Sequence, residues 1–482
     1  MRRHARTLTT FATPAPFAAA ALAAALILSF PASLPAADLS AEPQSAKAPA
    51  KAPAEKPATI HLKAYIEAFN TGNLDQMKTF FESHFAASAL KELTVPQRLA
   101  RYQGGKLQLK TFEIQRVVAE LEHQTAILVK AGNGNDILLR GLVEKVPPRK
   151  LVAILADRVE DPSMITVPDP KENEAEFVAA IRAFLEDKTA TDEFSGVVLV
   201  NRDGRTVFHE AYGLADREAK VPNRKDTKFN LGSINKNFTR VAIHQLARQG
   251  KLSLEDPVKR FLPDYPNAQA AEKVNVRHLL NMTSGIGDFF GDRYDATPKD
   301  KIRSLKDYLP LFADKPLEFD PGTSNKYSNG GYVVLGLIIE KASGVDYYKY
   351  VRENIFKPVG MLDTDSYLRD AATPNLAKGY TIEGAPVGER VLNHATLPGR
   401  GSSAGGGYST AEDMLKYVLA LKDKKLFLPD TASGLGIAGG APGINSTVEW
   451  DPRAGTIVIV LTNLDPPAAG TVSRQIVSWM PQ

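Results

Sequence analysis

Apolar residues along the chain change rhythm several times, and those changes predict its elements. From Thr59 the spacing is helical, with Ile60, Tyr65, Ile66 and Phe69 on one face up to Thr71-Gly72-Asn73, and a second helix follows with Leu74, Met77, Phe80 and Phe81. Four β-rich runs come next, at 109–121, 125–130, 137–143 and 151–159, with Gly132-Asn133-Gly134 and Pro147-Pro148 as turns. Helices followed by an antiparallel meander predict a small α+β domain over 59–160. Prolines at 162, 168 and 170 mark a linker over 161–170.

The region 171–482 opens with a helix carrying Phe177, Val178, Ile181, Phe184 and Leu185. A hairpin follows: 195–200, a turn at Arg202-Asp203-Gly204, then 206–212. Near the other end, 446–450 and 456–461 form another strand pair, and a helix over 471–479 closes the chain. Between them lie helical stretches. One runs from Leu231 to about Gln249 and stops at Gly250, with Phe238, Val241, Ala242 and Leu246 giving an apolar stripe. Another runs from Gly331 to Ala342 and stops at Gly344. Strands at both ends predict one antiparallel sheet built from the two termini of this region, with a helical insert. The fold class expected for the whole chain is α+β.

Composition adds an address and removes some functions. Arg2, Arg3 and Arg6 precede an apolar run from Phe17 to Phe30 and small residues up to Ala36-Ala37, the three-part form of a secretory signal over 1–37. Residues 38–58, rich in Ala, Pro, Lys and Glu, read as a disordered tether, so a periplasmic or secreted protein is expected. The net charge of +4 falls to roughly +1 without the three leader arginines, which argues against nucleic-acid and anionic-membrane partners. After the leader no apolar run is long enough to span a bilayer. The chain has no cysteine, and its eight histidines lack ligand spacing, so neither a metal nor another cofactor is expected.

Candidate chemistry starts at Ser233-Ile234-Asn235-Lys236. Three residues apart at a helix N-terminus, Ser233 and Lys236 share a face, and the free N–H groups there favour developing negative charge. A lysine kept neutral by a dry pocket can take the serine's proton and make it a nucleophile. The spacing is common, and Ser88-Ala89-Leu90-Lys91 has it too, in the first domain and with no companion motif. For Ser233 the companions are Tyr327-Ser328-Asn329 and Gly439-Gly440. Tyr327, on a loop ahead of a buried helix, could shuttle a proton, and proximity to an ammonium would ease its ionisation. Asn329 would orient Lys236 and the substrate. Consecutive glycines from Gly439 let a substrate lie against backbone, with N–H groups there and at Ser233 as an oxyanion hole. Tyr265-Pro266-Asn267 repeats the Tyr-x-Asn pattern in an ordinary turn setting. Gly401-Ser402-Ser403-Ala404-Gly405 has the spacing of a nucleophile elbow but lacks the flanking strand and helix that an elbow needs.

The three stretches, in this order, make residues 170–482 resemble the serine β-lactamase and penicillin-binding protein superfamily, in the branch of class C β-lactamases, D-aminopeptidases and related esterases. Residues 278–286, Asp320-Pro321-Gly322 and 404–413 add to the likeness. It implies a β-lactamase/transpeptidase-like sheet flanked by helices, and an acyl-enzyme on Ser233 with Lys236 and Tyr327 moving protons. The implied partner is a small or peptide-like ester or amide. Ala68-Phe69-Asn70-Thr71-Gly72-Asn73 gives the first domain a looser resemblance to cystatin-like cones, which suggests binding or dimerisation. One position departs from the larger family: the Lys or His usual two residues before Gly439 is Ile437. Without that cation, carboxylate-bearing β-lactams and D-Ala-D-Ala ends become poorer candidates than uncharged esters or amides. A relative that binds without turnover is the alternative.

Overall fold

A computed structural model describes residues 55–159, 162, 165, 170–429, 431 and 434–480. The expected leader, most of the tether and most of the linker lie outside these residues. Pro57, with its φ already helical and no N–H to lose, starts α1 at Pro57–Thr71, two residues earlier than the apolar spacing suggests. Its buried face is Ala58, Leu62, Ile66 and Phe69, whereas Ile60, expected on that face, is 50% exposed. Asn73 caps α2, Leu74–His84, by accepting from the N–H groups of Asp75 and Gln76.

Two further helices, α3 (Ala87–Glu92) and α4 (Val95–Leu109), precede the strands. Thr94 and Gln97 form a capping box on α4, and the helix absorbs Leu109, which the sequence assigned to a strand. Pro96 lies in its first turn, where proline is tolerated, and Gly104-Gly105 are carried inside it. The strands β1 (Phe112–Glu120), β2 (Gln124–Ala131), β3 (Asp136–Val143) and β4 (Leu151–Val159) form an antiparallel meander in chain order. The face of α1 packs on it, with Phe69 stacked 4.2 Å from Phe112.

In the rest of the chain, α5 (Glu174–Ala190) starts at an Asn173 cap and buries Phe177, Ile181 and Leu185. The strands β5 (Gly196–Arg202) and β6 (Arg205–Tyr212) turn through Asp203 and Gly204, both at positive φ, as a two-residue hairpin requires. The last strands are β7 (Leu435–Ala441), β8 (Ile444–Asp451) and β9 (Thr456–Thr462). The sheet order is β7-β8-β9-β5-β6, antiparallel throughout, so β9 pairs with β5 and joins the two ends of the region as expected. Every residue of β9 is buried, because α5 and the closing helix (Ala468–Ser478) cover one face of the sheet and the helical insert covers the other. The insert is built round α6 (Asn235–Arg248) and α7 (Asn329–Ser343), which pack together. Among the described residues no helix is long and apolar enough to cross a membrane.

Candidate active site

The backbone around Ser233 is shaped before its side chain matters. Leu231 N–H donates to Gly407 O at 2.8 Å, and Gly232 N–H donates to Asn230 Oδ1 at 2.9 Å. Gly232 has φ +51°, a conformation side chains rarely adopt. From there a 3₁₀ turn, Gly232–Ile234, leads directly into α6. Ser233 therefore stands at the helix N-terminus, partly exposed, and Lys236 is buried one turn further on.

Lys236 Nζ has three polar neighbours. It lies 3.1 Å from Ser233 Oγ and donates to Asn329 Oδ1 at 2.7 Å and to Ala404 O at 2.6 Å. Burial pushes its pKa down to about 7, with the Asp288 carboxylate pulling the other way. A neutral amine has two N–H bonds and one lone pair. Asn329 and Ala404 offer only acceptors here, so they take the two N–H bonds and the lone pair is left facing the Ser233 hydroxyl. Tyr327 closes the other side, its OH 2.6 Å from Ser233 Oγ and its ring 4.7 Å from Lys236 Nζ. Here the structure corrects the expected ease of ionisation. Burial raises the phenol to about 12, Asp288 adds to the rise, and only the Ser233 hydrogen bond opposes it. Tyr327 thus meets Ser233 as a protonated hydroxyl.

Tyr327 sits on a loop as anticipated, while Asn329 is already the first residue of α7, capped by Ser328, whose Oγ accepts from Gly331 N at 2.8 Å. Gly439 and Gly440 belong to the edge strand β7 and not to a turn. Pairing with β8 runs as far as Ala441–Ile444, and the reversal falls at Pro442-Gly443. A Cβ on Gly439 would lie 2.0 Å from Leu231 O and 2.8 Å from Ser233 N, so only glycine lets this edge lie against the serine's turn. Ile437, two residues along on the same face, packs against the main hydrophobic core and brings no charge.

The remaining matches fall away from the chemistry. Ser88 and Lys91 are both exposed on α3. Asn267 caps the short helix Ala268–Lys273, and Tyr265 is buried. Ser402 and Ser403 are buried, and Ser403 Oγ donates to Tyr332 O at 2.7 Å. Their turn still matters through backbone: carbonyls of Ser403 and Ala404 accept from Thr239 Oγ1 and Lys236 Nζ. Ala404 O and Asp288 stand beside this cluster, and residue patterns did not reveal them. A backbone carbonyl leaves no trace in residue type. Asp288 stands two residues past Ile286, and its contact with Asn329 arises only on folding.

The Beta-lactamase family model matches residues 177–477, more than half of the chain. The chain belongs to the β-lactamase family. Esterase EstB of Burkholderia gladioli is 31% identical over 315 residues, which cover 57% of this chain and 77% of that protein. The crystal structure of a penicillin-binding protein from Bacillus halodurans superposes with a TM-score of 0.56 at 32% identity, covering 62% of this chain and 98% of the other. The D-amino acid amidase of Ochrobactrum anthropi gives a TM-score of 0.53 at 25% identity, covering 63% and 98%. With a penicillin-binding protein, an esterase and an amidase among its relatives, this β-lactamase-family chain is a serine hydrolase in the broad sense.

Proposed function

We propose that the chain is an exported serine hydrolase that cleaves an uncharged ester or amide through an acyl-enzyme on Ser233. One observation carries this reading: Ser233 Oγ stands between the amine of Lys236 at 3.1 Å and the hydroxyl of Tyr327 at 2.6 Å. Lys236, its N–H bonds engaged elsewhere, takes the Ser233 proton as Oγ attacks the carbonyl carbon. The negative charge that forms on the carbonyl oxygen meets backbone N–H groups of Ser233 and the Gly439–Gly440 edge. Tyr327 hands its proton to the leaving oxygen or nitrogen, and the Lys236 ammonium beneath its ring replaces it. Water then releases the acid by the same relay in reverse.

Ile437 favours neutral substrates, since it offers a carboxylate no partner and would leave one desolvated. The first domain, 59–160, serves binding or self-association as a cystatin-like unit joined to the 171–482 hydrolase domain by the 161–170 linker. The leader over 1–37 sends the chain to the periplasm or beyond. Intact-mass measurement after treatment with a fluorophosphonate or a fluorescent penicillin tests the acyl-enzyme. The chain should gain the probe's mass on Ser233 and a Ser233→Ala variant should gain none. If neither probe adds mass to the unaltered chain, the reading as a binding protein without turnover takes its place.

A further inference from the structure

Asp288 lies at the end of a turn that is laced to the loop carrying Tyr327. Gly285 O accepts from Glu318 N at 2.8 Å, and Gly287 O accepts from Ser328 Oγ at 3.0 Å. The Asp288 carboxylate accepts from Asn329 Nδ2 at 2.7 Å and from Asn329 N at 3.4 Å through Oδ2, and from Phe290 N at 3.0 Å through Oδ1. An ionised carboxylate only accepts hydrogen bonds, so it must face the NH₂ side of the amide. The amide oxygen is then forced toward Lys236. Turned over, the amide would set its oxygen against a carboxylate and its NH₂ against the amine, and both contacts would be lost.

We propose that Asp288 is the positioning residue of the base: its carboxylate holds the Asn329 amide with Oδ1 toward Lys236, which leaves the amine's lone pair for the Ser233 hydroxyl. The inference rests on the acylation reading above. The same negative charge favours the ammonium form, so Asp288 also sets the pH at which the base becomes available. Other groups around Lys236 cannot stand in for it. The rings of Tyr327 and Tyr332 lie 4.7 and 5.6 Å from Nζ, and Arg240, one turn along α6, is bonded to Asn237 Oδ1 at 3.4 Å. One turn along the same face of α6, Tyr347 OH meets Thr239, and Arg352 is paired to Asp365. At the rim Glu318 is paired to Lys326 at 2.9 Å, β7 brings the uncharged Ile437, and the 402–405 turn brings only carbonyls.

Asp288→Asn keeps the shape and an acceptor for Asn329 but removes the charge, and Asp288→Ala removes both. The rate of fluorophosphonate labelling of Ser233 across pH 5–9 is measured by intact mass, alongside the titration of Lys236 Nζ by NMR of ε-¹³C-lysine protein, assigned by loss of the signal in Lys236→Arg. In the unaltered chain the acid limb and the Nζ titration should centre near pH 7. Asp288→Asn should move both to lower pH by roughly one unit, and Asp288→Ala should slow labelling at the optimum by about tenfold or more. An Asp288→Ala protein labelled at the unaltered rate overturns the positioning role, and an Asp288→Asn protein with the unaltered limb and Nζ midpoint overturns the setting of the base's pH by its charge. A chain that takes no label in any form sinks the acylation reading, and the Nζ titration still decides the part played by Asp288.

Discussion

Two Ser-x-x-Lys sequences occur in this chain at the same helical spacing, and they share almost nothing else. Ser88 and Lys91 ride on α3 with both side chains in solvent. Ser233 and Lys236 straddle the start of α6, and Lys236 is enclosed and meets Asn329, Ala404 and Ser233 within 3.1 Å. Spacing brings a hydroxyl and an amine onto one face in both places. Only the second place supplies the burial that lowers the amine's pKa to about 7, and two acceptors that engage its N–H bonds. The proposed chemistry rests on this enclosure, which distant segments contribute.

The largest test of that contrast removes each serine. Ser233→Ala should abolish fluorophosphonate uptake, and Ser88→Ala should leave both rate and stoichiometry unchanged; uptake surviving Ser233→Ala would place the nucleophile elsewhere. Next come the two lysines. Arginine keeps the charge and cannot be deprotonated, so Lys236→Arg should cut acylation by about 10³-fold or more while circular dichroism stays native. Lys91→Arg should change nothing measurable. Tyr327→Phe, which keeps the ring over Lys236 but deletes the proton donor, should slow turnover by about 10²-fold and show most with poor leaving groups. An unaltered rate for amides would remove Tyr327 from the proton path.

The enclosure should also be visible in stability. Lys236 has a folded-state pKa near 7 against an ordinary 10.5, so the unfolded chain binds the extra proton between these values. Stability should therefore rise with pH across that window, by about 1.4 kcal/mol per unit from this group, and level off below pH 7 where both states hold the proton. Urea midpoints at pH 7, 8 and 9 should show the slope in the unaltered chain and lose it in Lys236→Met. Lys91→Met, made in solvent, should leave the slope in place.

What the sequence reveals and what it hides divides along the same line. The hairpin at Asp203-Gly204, the β9 run and the apolar faces of α5 and α6 are local patterns, and each is legible from periodicity and turn residues. The helix α4 went unread: Gly104-Gly105 weaken its helical pattern, and a capping box at Thr94 and Gln97 marks its start. The edge strand β7 was hidden because its glycines look like a turn, when they are there to let backbone approach backbone. Ser233, Lys236, Tyr327 and Asn329 carry side-chain signals in the sequence, and the fold brings them together. The protonation state of Tyr327, the carbonyl of Ala404 and the reach of Asp288 depend on burial and tertiary placement, which residue types alone do not encode.

The smallest expected effect concerns the other side of the crevice. Ile437 lies on the same strand face as Gly439, which abuts the Ser233 turn, and its register partner across the sheet is Val448. A histidine at 437 would put a partly cationic group on that face, next to the Gly439–Gly440 edge where a substrate would lie. Ile437→His should raise kcat/KM for a carboxylate-bearing ester several-fold over its neutral counterpart, with the preference fading as pH rises past the imidazole's range. It should also cost some stability, because an aliphatic side chain packed against the core cluster is lost. If the ratio of the two substrates does not move while the fold persists, charge at this edge does not select the substrate. Any preference for neutral esters would then have to come from the shape of the crevice.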